Sequence, residues 1–182
     1  HLAAFGSRQA IALEFAKLVQ ATPTHGTIVL NLDDQLVAAL SKDAKCRVIT
    51  YGTCAIADLQ ATEIVSIWPD PLQFTATYKG ESVSIRTQLN GKQLLTSALA
   101  AIGGGLAAGL TLSDCAKGIS SAFPAEGRMQ PVPCSQGVTF IRDDFKAPAW
   151  SVRPLLNQLR DAKAHRKIFV LGSISDCRDT PT

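Results

Sequence analysis

Thr27-Ile28-Val29-Leu30-Asn31-Leu32-Asp33-Asp34 is the stretch on which the fold turns. Thr27 to Leu32 is an apolar, β-branched run without alternation, as expected of a strand covered on both faces of a parallel sheet. Asp33-Asp34 then stands at a strand-to-helix junction leading into Gln35 to Leu40, and Cys46 to Tyr51 is a second buried strand. Strand, helix and strand at this spacing form a βαβ unit, whose crossover makes the two strands parallel. Asn31, Asp33 and Asp34 could serve as a carboxylate pair for acid–base work or metal. Helix capping is the favoured alternative, because Asp is preferred where the first amides of a helix need acceptors.

Upstream, Ser7 to Gln20 is predicted as an amphipathic helix. Ile11, Phe15 and Leu18 repeat at three-to-four spacing, joined by Leu13 and Val19, and Ser7 is a plausible N-cap. Pro23 to Gly26 is a turn. Downstream, the texture changes to short strands at Ala61 to Trp68, Leu72 to Tyr78 and Val83 to Gln88. They are separated by Pro69-Asp70-Pro71 and by Lys79-Gly80-Glu81, the latter a tight hairpin turn, so an antiparallel meander is appended to the parallel sheet.

Leu94 to Ala107 and Leu112 to Ser121 are predicted helices with Gly109 between them, and Pro124 to Gly127 marks a boundary. Beyond it come a short strand, Val138 to Ile141, the segment Asp143-Asp144-Phe145-Lys146-Ala147-Pro148, a helix from about Ser151 to Ala164, and a buried strand, Ile168 to Leu171. The α/β pattern restarts there, which divides the chain into residues 1–124 and residues 125–182.

The 182 residues are 46% hydrophobic with a net charge of +3, enough to bury a core and too apolar for disorder. Lys and Arg nowhere cluster with aromatics, which argues against nucleic-acid binding. The most apolar stretch, Ala98 to Leu110, is interrupted by Gly103, Gly104 and Gly105 and is shorter than the about 20 residues a membrane span needs. No basic segment precedes an apolar core at His1-Leu2-Ala3-Ala4-Phe5, so no secretory signal is read there. That start resembles the middle of a protein. Cys46, Cys54, Cys115, Cys134 and Cys177 form no Cys-x-x-Cys pair, which points to reduced thiols and a cytoplasmic setting. His25 and His165 have no nucleophile motif near them, so hydrolase triads are unsupported.

In this order the residues resemble the Mur ligase family, which uses ATP to join amino acids or peptides to UDP-N-acetylmuramoyl precursors. The likeness is carried by His1-Leu2, Phe5-Gly6-Ser7, Gly26, Val29-Leu30-Asn31-Leu32-Asp33-Asp34 and Arg47-Val48-Ile49-Thr50-Tyr51-Gly52. It continues through Ala98-Leu99-Ala100-Ala101 with Gly109-Leu110, Gly127-Arg128 and Asp143 to Pro148. The resemblance implies an α/β fold: a parallel sheet with helices and a small antiparallel meander, followed by the start of a second, Rossmann-like α/β domain. Residues 1–124 would be the later part of the family's central ATPase domain, and 125–182 the beginning of its C-terminal domain.

The same resemblance implies the chemistry. The cofactors are ATP and Mg2+; the partners are a nucleotide-sugar or peptide precursor and an amino acid or peptide. His1 matches a family histidine that helps hold magnesium. Arg128 and Asp144 match residues that grip the nucleotide, and Lys146 matches a lysine that approaches the γ-phosphate. Arginine suits phosphate as a bidentate donor.

No phosphate-cradling P-loop is present in the sequence. Gly91-Lys92 is followed by Gln93 instead of Ser or Thr, with Arg86 where the first Gly would stand, and no Lys follows Gly103-Gly104-Gly105. The chain by itself is therefore expected to be inactive. Many family members carry a carbamylated lysine in the first helix; here Phe15 falls at that position and Lys17 reads as surface, a spacing similar to the muramate–alanine ligase branch. Gln93, Leu94 and Ser97 replace residues that commonly read the nucleotide base. That departure keeps open a catalytically silent module binding a nucleotide-sugar or a protein partner. A relative with another acceptor, of the polyglutamate or cyanophycin type, also stays open.

Overall fold

The computed structural model describes residues 2–175, so His1 and Cys177 lie outside the described residues. A short helix α1 (Leu2–Phe5) turns at Gly6 into α2 (Arg8–Ala21). The side chain of Ser7 accepts the Ala10 amide at 3.1 Å, the N-cap expected from the sequence. Then follow β1 (Thr27–Asn31), α3 (Gln35–Ala39) with a 3-10 turn at Leu40–Asp43, and β2 (Arg47–Gly52), which pairs parallel with β1 from Thr27↔Arg47 to Asn31↔Tyr51.

The remaining strands of this sheet are β3 (Leu59–Val65), β4 (Gln73–Tyr78) and β5 (Glu81–Arg86), in spatial order β1-β2-β3-β4-β5. β3 is parallel to β2 but pairs only at Tyr51↔Leu59 and Gly52↔Gln60, so it runs onward past the end of β2 rather than back alongside it. That register explains how six connecting residues, Thr53 to Asp58, join parallel strands without a crossover helix. Where β3 does not reach, Asp58 serves the strand edge, accepting the Thr50 amide at 2.8 Å and the Thr50 hydroxyl at 2.7 Å. β4 and β5 complete the antiparallel meander. Lys79 and Gly80 have φ of +50° and +83°, the left-handed pair a two-residue hairpin turn requires.

The change in sequence texture corresponds to a change in layering. β1 and β2 are covered on both faces: Leu30 and Val48 meet α2 and α3 residues on one side, while Ile49 and Tyr51 join the main core on the other. The meander is covered on one face only. Leu59, Ala61, Phe74, Ala76 and Ile85 point into the core, and their strand neighbours face outward. The covering layer is α4 (Leu95–Ala107) and α5 (Leu112–Ser121). The glycine run lies inside α4, with Gly103 and Gly105 at close approaches and Gly104 facing open space. A Cβ on Gly103 would sit 2.5 Å from Val29 Cγ1, and one on Gly105 would sit 2.6 Å from Cys115 Sγ.

After Phe123 the chain forms β6 (Gln130–Pro133) and β7 (Thr139–Arg142), an antiparallel pair with Gln130 opposite Arg142, then α6 (Ala149–Asp161). The expected buried strand at Ile168 to Leu171 is not formed: Ile168 and Val170 are 67% and 87% exposed. A lone parallel strand needs a neighbour for its amides, and β7 has paired with β6 instead. Among the described residues, the one isolated bridge formed in this region joins Pro148 and Ser175. β6 escaped the sequence reading because Pro131 and Pro133 are poor strand residues, tolerated only where no ladder amide is required.

Candidate functional site

Sequence-singled residues gather in two places. The first is at the C-terminal end of β1, where open α/β sheets place their ligands. An open cavity of about 700 Å³ lies there, with Ser7 to Gln9 on one wall and Asp33 to Leu36 on the other. Asp34 Oδ1 accepts the amides of Leu36 (2.9 Å) and Val37 (3.3 Å), the capping role read from the sequence. Its Oδ2 accepts Arg8 Nη2 at 2.7 Å.

Asp33 faces the other way. Both its oxygens accept the Thr53 amide at 2.9 Å and Oδ1 accepts the Thr53 hydroxyl at 3.2 Å, tying the end of β1 to the end of β2. The approach is possible because residue 52 is glycine; a Cβ there would lie 2.6 Å from Asp33 Oδ1. Asn31 Oδ1 accepts the Asp33 amide at 3.0 Å, which orients the turn. Beneath it the Tyr51 hydroxyl is pushed above its ordinary pKa, first by burial and then by the charge of Asp33. Both carboxylates are thus engaged in shaping the cavity.

On α2, Lys17 is a surface residue paired with Glu14 at 2.6 Å, and Phe15, about 200° away around the helix, is half-exposed. His1, the expected magnesium ligand, lies outside the described residues. Among the described residues no three His, Cys, Asp or Glu side chains form a metal-holding group, and no helix is long and apolar enough to cross a membrane.

The second place is the base of the β6–β7 hairpin. Antiparallel pairing of Gln130 with Arg142 brings residues 127–130 against 142–145. The Arg128 guanidinium stands 4.6 Å from the centre of the Phe145 ring, a cation–π contact. The Phe145 amide donates to Gly127 O at 3.1 Å, and the Met129 amide donates to Asp143 Oδ1 at 3.2 Å. Gly127, at φ +66°, allows Asp144 to come so close that a Cβ would meet Asp144 Oδ1 at 2.6 Å. Asp144 is held by Arg142 at 3.2 Å, and Arg142 also reaches Glu126 at 3.5 Å. Arg128 and Asp144, sixteen positions apart, are therefore neighbours, and Lys146 follows, exposed, on the same loop.

Arg8, Thr53, Arg142 and Phe145 were not singled out by sequence. The available signal was weak: an arginine opening a helix that has no acidic residue in its first turn, and an aromatic flanked by charges. A third contact joins the two parts of the chain. Gln93 Nε2 donates to Gln158 Oε1 on α6 at 3.2 Å, and the Lys163 amide donates to Trp68 O at 2.8 Å.

Comparison with known proteins identifies relatives of the chain. The Mur ligase middle domain family matches residues 1–105. The UDP-N-acetylmuramoyl-tripeptide–D-alanyl-D-alanine ligase of Mycobacterium bovis is 33% identical, an alignment covering 97% of this chain and 36% of that protein. The UDP-N-acetylmuramoyl-L-alanyl-D-glutamate–2,6-diaminopimelate ligase 2 of Clostridium acetobutylicum is 30% identical over 97% of this chain and 35% of that protein. Among solved structures, MurF from Acinetobacter baumannii superposes with a TM-score of 0.79 at 26% identity, covering 88% of this chain and 35% of that one. A muramate–L-alanine ligase matches at 27%, so overall identity does not follow the Phe15 spacing. The chain spans about a third of the length of these relatives. The match over residues 1–105, more than half of the chain and carrying the β1–β2 cavity, establishes that this chain belongs to the Mur ligase family.

Proposed function

We propose that the chain is the later part of the central domain, and the start of the C-terminal domain, of an ATP-dependent amide ligase. Its substrates would be a UDP-muramoyl-type precursor and an amino acid or peptide, joined in the cytoplasm for cell-wall synthesis. The observation that carries this reading is the alignment to such ligases, which runs through 97% of the chain and includes both candidate places.

Bound ATP with magnesium would supply the phosphoryl group that activates a carboxylate toward an amine. The residues present suit that cofactor. Arg128 and Lys146 put two cations on neighbouring loops, a charge that suits phosphate, and Asp144 would supply an acceptor for a sugar hydroxyl. His1 is the residue that would hold magnesium. Asp33 and Asp34 keep the walls of the β1 cavity in place.

The test is an assay of the full-length protein with ATP, magnesium, a UDP-N-acetylmuramoyl acceptor and an amine. Phosphate release requiring all four is the expected outcome. A second reading, a silent module binding a nucleotide-sugar or a protein, is favoured by one contact: Gln93 is engaged by Gln158 within the protein rather than presented to a ligand. Binding of the precursor without any amine-dependent phosphate release would decide for it.

A further inference from the structure

Glu126, Asp143 and Asp144 all lie in the two segments that meet at the base of the β6–β7 hairpin, and none of them takes Arg128. Glu126 and Asp144 both go to Arg142, at 3.5 Å and 3.2 Å, and Asp143 accepts the Met129 amide at 3.2 Å. The half-buried Arg128 guanidinium meets a neutral ring instead, 4.6 Å from the centre of Phe145. Arg142 is thus neutralised within the protein, while the charge of Arg128 beside it is kept. A ring face attracts a cation without using up its N–H donors, so it can hold a guanidinium and leave those donors to a ligand.

The backbone around this contact is unusual. Arg128 stands between Gly127 at φ +66° and Met129 at φ +47°, and a left-handed residue that bears a side chain is uncommon. Two bonds keep the turn: the Gly127 amide donates to Gln130 Oε1 at 3.2 Å, and the Met129 amide is taken by Asp143. Gly127 also lets the segments close up, since a Cβ there would lie 3.4 Å from Phe145 Cβ. Phe145 is 72% exposed, so burial of its ring does not account for its position.

We propose that Phe145 is a positioning residue for an anion bound by Arg128, namely the phosphate end of the nucleotide in the proposed ligase. The ring fixes the guanidinium so that paired N–H groups meet two phosphate oxygens together. It acts through Arg128, not by touching the ligand. The inference rests on the ligase reading above.

The experiment uses the full-length protein with Phe145→Leu, Phe145→Tyr, Arg128→Ala and the Phe145→Leu/Arg128→Ala double variant. Calorimetric titration with Mg-ATP gives Kd without turnover, and steady-state kinetics give KM and kcat. Phe145→Leu is expected to raise Kd and KM about threefold while kcat stays within about twofold. Phe145→Tyr keeps the ring and should stay within about twofold of wild type in all three. In the Arg128→Ala background, Phe145→Leu should change Kd by less than about 1.5-fold, because the ring then has no guanidinium to hold.

An unchanged Kd in Phe145→Leu would overturn the proposal. So would a loss that persists undiminished in the Arg128→Ala background, because the ring would then touch the ligand or support the fold without Arg128. A wild type that binds Mg-ATP but forms no amide removes the ligase reading instead, and the Kd values still decide whether Phe145 acts through Arg128. A wild type that binds no Mg-ATP removes both.

Discussion

Tyr51 shows what one position at a strand end can report. Its ring is buried in the main core while its hydroxyl lies near Asp33, and both surroundings disfavour the phenolate. An unfolded tyrosine ionises near pH 10, whereas the folded one resists. The contribution of Tyr51 is therefore fully present below about pH 10 and is lost as pH rises through the folded value. Tyr51→Phe should narrow its stability gap to wild type, or reverse it, as urea midpoints are taken from pH 8 to above about pH 10. A gap independent of pH would mean that the hydroxyl is solvated in the folded protein. The burial was legible, since Cys46 to Tyr51 reads as a buried strand, but the partner was not, because Asp33 comes from the turn after β1.

Helix α5 is the element read most faithfully from sequence, and its start explains why. The Thr111 hydroxyl accepts the Asp114 amide at 3.1 Å and donates to the Asp114 carboxylate at 2.7 Å, a local lock between residues three apart. The hydroxyl holds the Asp114 carboxyl below its usual range. Buried Leu112, Cys115 and Ala116 then seat the helix against α4. Thr111→Ala should cost about 1 kcal/mol in denaturant unfolding, and Thr111→Ser should recover most of it. An unchanged midpoint would show that tertiary packing alone defines the helix start. α6 is the contrasting case: it begins at Ala149 directly after Pro148, two residues ahead of the expected Ser151. Ser151 instead turns its hydroxyl back to Pro148 O at 2.8 Å, so the residue expected to begin the helix lies inside it.

At the scale of the whole molecule, the five-stranded sheet is followed in the chain by the two-stranded hairpin, whose base carries Arg128, Asp144 and Lys146. If residues 1–124 and 125–182 belong to separate domains, as proposed, a nucleotide gripped there while its phosphates meet the first would couple binding to domain closure and exclude water from the reacting group. In the full-length protein, Lys146→Ala should lower kcat by about 100-fold and change KM for ATP less, because its charge matters most in the transition state. Arg128→Ala should raise that KM by about tenfold, the loss of one charge-assisted contact. Steady-state kinetics of the two variants separate these roles, and normal constants in both would make them solvated loop residues.

Local chemistry determined the elements. β-branched runs specified β1 and β2, Lys79-Gly80 specified the hairpin, Ser7, Asp34 and Thr111 specified three helix starts, and the order of motifs pointed to the family. These depend on neighbours within a few positions, where backbone preference and capping are decided. Tertiary structure alone decided the rest. The staggered join of β3 to β2, the pairing of Asp33 with Thr53, of Asp34 with Arg8 and of Arg128 with Phe145, and the failure of Ile168 to Leu171 to become a strand depend on which groups long-range packing brings together. A carboxylate has no preferred partner in sequence. It takes the cation or amide that the closed fold sets beside it, and a strand forms only where another strand offers its edge.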